Sequence, residues 1–164
     1  MKTVIEHMRS LCPISDETVE ELMKCVTLCH FPKRYQLIQE NRFCKYAYFI
    51  EKGMTRSFWL VDGEEITTSF SCEGGIVFSM DELYYQKKSE EFVETLEEVE
   101  AYRIALTDLI RLFETNLEFC NWGLPQQGKA VLELEPLQRD VVLDVLLFLP
   151  EGDELVVVAQ HASE

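Results

Sequence analysis

The sequence predicts a mainly β protein, an antiparallel sandwich or barrel with helices flanking it. Between Phe31 and about Ile104, short β-branched and aromatic runs alternate with turn residues at regular spacing, which is the pattern of such folds. Helical periodicity precedes and follows this region. Apolar residues make up 47% of the 164-residue chain, enough to fill a hydrophobic core.

One amphipathic helix is predicted before the strands, in SDETVEELMKCV. Ser15 or Asp16 is the expected N-cap, and acidic residues follow in the first turn, where they favour the helix dipole. The short segment 4–8 is expected to add a helical turn. Apolar residues in the main helix recur at three- to four-residue spacing: Val19, Leu22, Met23 and Val26.

Seven segments are predicted strands: LIQ, YAYFIE, MTRSFWLV, EEITTSF, GIVF, EFVETL and VEAYRIAL. The strongest hairpin signal is Asp62-Gly63, because both residue types accept the positive φ of a type I′ turn. Gly53 and the pair Gly74-Gly75 are expected to provide other backbone shapes that a side chain would obstruct. The segment DELYY is expected to form a helical turn that caps the strands.

Helical patterns return after the strands. Thr107 is the expected cap of TDLIRLFETN, with Leu109, Leu112 and Phe113 facing inward. An apolar stripe follows within 126–148 and is typical of a helix packed along a partner helix, so we expect a homodimer in which Pro136 bends the helix. The predicted interface residues are Val131, Leu134, Leu137, Val141, Val145 and Phe148.

Net charge and the distribution of apolar residues exclude some classes of function. The net charge of −15 repels phosphate backbones, so we expect no DNA binding by this chain alone. The N-terminus lacks the apolar run of a signal peptide, and VVLDVLLFL is too short to cross a bilayer. We therefore expect a cytoplasmic protein with no membrane contact.

Two cysteines suggest an alternative. If the segment that contains them is helical, Cys25 and Cys29 lie one turn apart, and a metal or iron–sulfur site remains an alternative.

The segment YFIEKGMTRSFWLVDGEEITTSFSCEGGIV has a strand ending at Gly53, a hairpin tip at Gly63 and a glycine turn at Gly74-Gly75. With its flanking helices it resembles the effector-sensing domain of the Crp/Fnr family of bacterial transcription regulators, over roughly residues 10–135. The resemblance implies a double-stranded β-helix, or jelly roll, of the cyclic-nucleotide-binding type in residues 1–124. It implies a long C-terminal dimerisation helix and tail in 125–164, and regulation by a small-molecule effector rather than catalysis.

The chemistry of the effector site departs from that family. Nucleotide-binding members hold the cyclic phosphate with helix amides and an arginine. In this chain the corresponding segment is VFSMDELYYQKKSEEFVETL, and Ser89 falls near the arginine position. No arginine occurs between Arg56 and Arg103, so we expect no cyclic AMP binding and assign no cofactor. The candidate pocket residues are Ser79, Met80, Asp81, Glu82, Tyr84, Ser89 and Glu90.

Two further interpretations remain open. The stretch after Pro150 is too short for the helix-turn-helix domain that the resemblance implies, so we expect the DNA-binding domain to be absent. The domain could then be an interaction module that has lost its ligand. A metalloenzyme of the cupin type is the other alternative, but its site needs His and carboxylate ligands converging from strands, and the three histidines, His7, His30 and His161, fall outside the predicted roll or at its edge. We therefore predict neither a metal site nor catalytic residues.

Overall fold

The computed structural model describes residues 1–123, in which two four-stranded antiparallel sheets form a β-roll. One sheet has the order β1-β8-β3-β6 and the other β2-β7-β4-β5. The mainly β class predicted from the short, regularly spaced strands is confirmed. The strands are β1 (Val26–Phe31), β2 (Gln36–Ile38), β3 (Tyr46–Lys52), β4 (Thr55–Val61), β5 (Glu64–Ser71), β6 (Ile76–Val77), β7 (Phe92–Thr95) and β8 (Val99–Ala105).

Helices flank the roll at both ends and one interrupts it. Within residues 1–123, two precede the strands, one lies between β6 and β7, and two follow β8. They are α1 (Lys2–Leu11), α2 (Asp16–Met23), α3 (Met80–Tyr85), α4 (Leu106–Thr115) and α5, the helical residues 117–123.

The core has two parts. One lies between the two sheets, where Ile38 and Val93 of one sheet pack with Ile50 and Ala101 of the other. The other part joins the first sheet to the helices, and its fully buried aromatic residues include Phe49, Phe119 and Trp122. The first sheet therefore packs against the helices on one face and against the second sheet on the other.

The hairpin predicted at Asp62-Gly63 is confirmed. Asp62 has φ 53° and Gly63 has φ 88°, and Val61 pairs with Glu64 across the turn. Positive φ at both central residues is the geometry that Asp-Gly favours, because its twist matches that of the flanking strands.

The N-terminal elements differ in extent from the prediction. Ser15 is the N-cap of α2, as expected, and its hydroxyl accepts a hydrogen bond from the N–H of Thr18. However, α2 ends at Met23, and Val26 begins β1 in register with Ile104. Cys29 lies in that strand, so Cys25 and Cys29 are not one helical turn apart.

Two other predicted details need correction. The helix expected at 4–8 is longer and runs from Lys2 to Leu11. Thr107 does not cap α4: the N-cap is Ala105, without a side-chain hydrogen bond. Leu106 is buried at the first position of α4, so packing at the end of β8 starts this helix one residue before the predicted cap.

The apolar stripe at 131–148, with its six predicted interface residues, lies outside the described residues, as does the predicted division at 124/125. Within residues 1–123, no helix is long and apolar enough to cross a membrane.

Candidate functional site

A cleft of about 160 Å³ opens between the β4–β5 hairpin, β6 and the segment around α3. Its lining combines hydroxyl, aromatic, aliphatic and carboxylate side chains. The lining residues are Ser57, Trp59, Thr68, Ser69, Ser71, Ile76, Val77, Phe78, Met80, Asp81, Glu90, Glu91 and Val93.

The short helix α3 forms one edge of this cleft. Its N-cap, Ser79, is fully buried, and the Ser79 hydroxyl accepts a hydrogen bond from the N–H of Glu82 at 3.3 Å. This Ser-x-x-Glu arrangement is the sequence signature of a helix start. Gln86 ends the helix in the left-handed region with φ 52°, which places the polar QKKS segment after a sharp stop.

Hydroxyl groups from the hairpin form the opposite wall. Ser57 pairs with Ser69, whereas Phe58 pairs with Thr67, so Thr68 is the extra residue of a β-bulge. A bulge changes the direction in which a side chain points, and here Thr68 joins Ser69 in the cleft lining. The Thr68 hydroxyl oxygen is buried without a hydrogen-bond partner.

Carboxylates gather where α3 approaches the start of β7. Asp81 Oδ2 accepts a hydrogen bond from the N–H of Glu90 at 2.9 Å, which fixes this carboxylate relative to the chain opposite. Glu90 is exposed, and Glu91 also faces the cleft. Among the cleft-lining residues there is no lysine or arginine, so the described walls carry negative charge only.

Arg56, the nearest arginine in sequence before this segment, is engaged elsewhere. Its guanidinium contacts Glu65 at 2.5 Å and Glu94 at 2.6 Å, and it lies 4.5 Å above the ring centroid of Phe58. Because adjacent residues of a strand point to opposite faces, Arg56 lies on the face opposite to Ser57. The guanidinium is therefore paired outside the cleft.

Ser89, which the sequence places near the family's arginine position, is buried. Its N–H donates to the carbonyl of Arg42, and its carbonyl accepts from the N–H of Asn41. Its hydroxyl donates to the carbonyl of Glu91 at 3.0 Å. At this position the chain has a small, uncharged side chain whose hydroxyl is hydrogen-bonded to the local backbone.

The seven residues predicted as pocket candidates fall in three places. Met80, Asp81 and Glu90 line the cleft. Ser79 and Ser89 are buried in the turns before α3 and before β7, and Glu82 and Tyr84 lie on α3 but outside the lining. Whether any of them contacts a ligand stays a prediction.

Glu82 is half-buried, and Tyr84 is 37% exposed. Packing around the covered part of the Tyr84 side chain, with a smaller contribution from Tyr85, raises its pKa to about 12. One carboxylate oxygen of Glu82 is buried without a hydrogen-bond partner. Glu82 also helps to raise the pKa of the Cys44 thiol, a shift whose main cause is burial.

Sequence reasoning missed the hairpin side of the cleft. The alternation of Ser57 with Trp59, and of Ser69 with Ser71, is the available signal, because alternate residues of a strand share a face. The position of Thr68 could not be predicted in this way, since the bulge changes the alternation within β5.

A small apolar cavity of about 10 Å³ lies on the other side of β6 and α3. Ile76 and Phe78 line both this cavity and the cleft. Leu83, Leu109, Phe113, Trp122 and Gly123 complete it. The side chains that border the cleft thus also contact the space beneath α5.

A protein-family model described as the cyclic nucleotide-binding domain matches residues 28–116, more than half of the chain. No curated protein sequence is significantly similar to this chain. Solved structures with the same fold include the catabolite activator protein of Thermus thermophilus, at 16% identity and a TM-score of 0.66. That alignment covers 87% of this chain and 63% of the other, so this chain spans less than two thirds of that protein.

Two further structures are similar. A cyclic nucleotide-binding domain from Methylobacillus flagellatus has 14% identity and a TM-score of 0.67, with 94% of this chain and 86% of the other covered. A mutant regulatory subunit of a cAMP-independent protein kinase A from Trypanosoma brucei, bound to cAMP, has 15% identity and a TM-score of 0.63, with 88% and 51% covered. These identities show a shared fold, and the family match shows descent: the chain belongs to the cyclic nucleotide-binding domain family.

Proposed function

We propose that this chain is the effector-sensing domain of a Crp/Fnr-type transcription regulator, and that its effector is not cyclic AMP. The observation that carries the proposal is the cleft of a cyclic nucleotide-binding domain whose described lining contains three carboxylates and no cation. A buried phosphate needs aligned donors and a positive partner. Ser89 carries no positive charge, and its hydroxyl already donates to a backbone carbonyl. The guanidinium of Arg56 is already paired with two glutamates.

The Trypanosoma brucei protein provides a parallel: its name describes it as cAMP-independent, and one of the three substitutions in its cAMP-bound form introduces an arginine.

The proposed mechanism is a population shift reported by α5. A ligand in the cleft contacts Ile76 of β6 and the following Phe78, which also border the cavity beneath Trp122. A ligand that favours one packing of this cavity shifts α5 only by its difference in affinity for the two states. We propose further that residues 125–164 form the dimerisation helix and tail that carry this shift to an output.

Thermal unfolding tests this function. We expect no change in melting temperature with cyclic AMP or cyclic GMP, and a rise with a compound from a panel of anionic, neutral and cationic small metabolites, because a ligand of the native state stabilises it by RT ln(1 + [L]/Kd). Hydrogen exchange of residues 117–123 should then change with that compound. Saturable stabilisation by cyclic AMP would contradict the exclusion of this ligand.

The interaction-only alternative makes a different prediction in the same experiment. If the domain has lost its ligand, no compound of the panel raises the melting temperature and exchange in 117–123 stays constant. That outcome would contradict the sensing function while leaving the family assignment intact.

A further inference from the structure

The walls of the cleft specify the chemistry of its ligand. We propose, on the basis of the sensing function above, that the cleft binds a small organic ammonium ion that carries a hydroxyl group. The proposal depends on the charge, the aromatic surface, the unpaired hydroxyl and the volume of the cleft.

The charge of the lining selects a cation. Asp81 is held in place by the N–H of Glu90, and the exposed Glu90 brings a second carboxylate to the same cleft. A ligand with positive charge gains Coulomb energy from these groups, whereas an anion is repelled. The chain as a whole, at a net charge of −15, adds attraction for cations at low ionic strength.

The aromatic wall selects an organic cation over a metal ion. Trp59 and Phe78 face the cleft together with the carboxylates, and the face of an indole ring attracts ammonium groups, quaternary ones included. By contrast, residues 1–123 contain no group of three or more His, Cys, Asp or Glu side chains placed to hold a metal ion.

The hairpin wall selects a hydroxyl group. Thr68 lines the cleft, and its hydroxyl oxygen is buried without a hydrogen-bond partner, so this group is left unsatisfied in the unliganded protein. Ser57, Ser69 and Ser71 lie on the same wall. A ligand hydroxyl that hydrogen-bonds to Thr68 would satisfy this group when it binds.

Choline is a suitable probe, because it combines a quaternary ammonium with a hydroxyl and is of the size that a cleft of about 160 Å³ admits. Its neutral isostere dimethylbutanol has the same shape with carbon in place of nitrogen. Calorimetric titration of the complete chain should give saturable binding of choline, at least tenfold tighter than of dimethylbutanol. Added salt should weaken choline binding.

Three variants identify the groups that act. Asp81→Asn retains an oxygen that can accept from the Glu90 N–H but removes the charge, and Glu90→Gln removes a charge at an exposed position. Each should weaken choline binding about five- to tenfold. Glu97→Gln, an equal change of charge at an exposed residue outside the cleft lining, should leave the affinity unchanged.

Thr68→Val distinguishes a ligand contact from a structural role. The isosteric variant removes a buried hydroxyl that has no partner, so the unliganded protein should melt at the same or a higher temperature, while choline binding weakens about tenfold. Lower stability with unchanged affinity would overturn the assignment of this hydroxyl to the ligand.

The outcomes separate this inference from the sensing function. Equal affinity for choline and dimethylbutanol, tighter binding of an anion, binding of Mg²⁺ or Ca²⁺ in place of choline, or no binding of choline would each overturn the ammonium proposal. A neutral or anionic compound that changes hydrogen exchange in 117–123 would overturn it and leave the sensing function standing. Saturable binding of choline without any change in the hydrogen exchange of 117–123 would overturn the sensing function and leave the ammonium proposal standing.

Discussion

At the scale of single residues, two glycines with similar positive φ differ in their surroundings. Gly53 has φ 97° and Gly63 has φ 88°. A β-carbon at Gly53 would lie 2.7 Å from the carbonyl oxygen of Glu98, whereas one at Gly63 meets nothing within 4 Å. The first position therefore combines backbone strain with a steric clash, and the second has strain alone.

We predict that Gly53→Ala destabilises the domain more than Gly63→Ala. The left-handed conformation costs an alanine about 1–2 kcal/mol, which applies to both variants. The clash at Gly53 adds about 1–3 kcal/mol, as in an overpacked core. Urea unfolding at constant m-value measures the difference.

The Gly63→Ala variant is the matched control, since it carries the same chemical change at nearly the same φ. Equal loss of stability in the two variants would contradict the close approach of the turn at Gly53 to Glu98. Asp62→Asn should be nearly neutral, because asparagine also tolerates positive φ.

The sequence predicts only part of the chemistry of the cleft. The absence of arginine between Arg56 and Arg103 can be read directly from the sequence, and in the structure Ser89 lies in a turn and carries no positive charge. The unpaired hydroxyl of Thr68 cannot be predicted from the sequence, because the position of Thr68 depends on a register shift between Ser57 and Phe58. The register shift lies where β4 also pairs with β7 on its other edge, a contact between segments distant in the sequence.

At the scale of secondary-structure elements, Glu51 joins strand β3 to helix α1. Its carboxylate accepts hydrogen bonds from the N–H groups of Thr3, at 3.0 Å, and Val4, at 3.2 Å. Burial alone would raise the pKa of Glu51, but these amide donors, together with the N-terminal ammonium group of Met1 at 3.4 Å, outweigh it and lower the pKa below its ordinary value of 4.5. The strand thus caps the free N–H groups of the helix, at the end where a negative charge is favourable.

We predict that Glu51→Gln lowers the free energy of unfolding at neutral pH by about 1–2 kcal/mol, the contribution of hydrogen bonds to a charged acceptor. The native pKa is depressed, so the wild-type stabilisation is complete above pH 4.5 and is lost as the pH falls through the native pKa. The variant should therefore approach the wild type in acid. Urea unfolding between pH 3 and 7, spanning this window, provides the measurement.

Glu6→Gln is the control for this change. Glu6 belongs to the same helix and lies 3.8 Å from Lys2, with 67% of its side chain exposed, and such surface pairs contribute little. It should shift stability by less than about 0.5 kcal/mol at every pH. A loss for Glu51→Gln that persists undiminished at acid pH would refute the role of the charge.

Element boundaries show where sequence patterns lose their power. Val26 continues the helical spacing of Val19 and Leu22, which is why the helix is predicted to include it. In the structure it pairs with Ile104 at the start of β1. A single apolar residue fits both periods, and only the distant partner strand β8 decides between them. The Asp62-Gly63 turn is predictable because its signal is entirely local.

At the scale of the whole molecule, a closed roll carries acidic walls inside its cleft and a strongly acidic chain around it. The cleft borders β6, and β6 borders the cavity under α5, the last described helix. The architecture therefore provides a route from a ligand to whatever follows residue 123. In the sequence, the predicted stripe at 131–148 follows that helix.

We predict that Leu134→Glu combined with Val141→Glu converts a homodimer into a folded monomer. Two carboxylates placed in an apolar seam would have to be buried without partners, and this cost exceeds the gain from the remaining contacts. Light scattering should give half the mass, while far-ultraviolet circular dichroism should retain the β signal of residues 1–123. Gln127→Glu combined with Arg139→Gln, which changes the net charge equally away from the stripe, should keep the dimer. An unaltered mass after the first double change would place the seam on another surface, and the ligand signal would then have to leave α5 by a different contact.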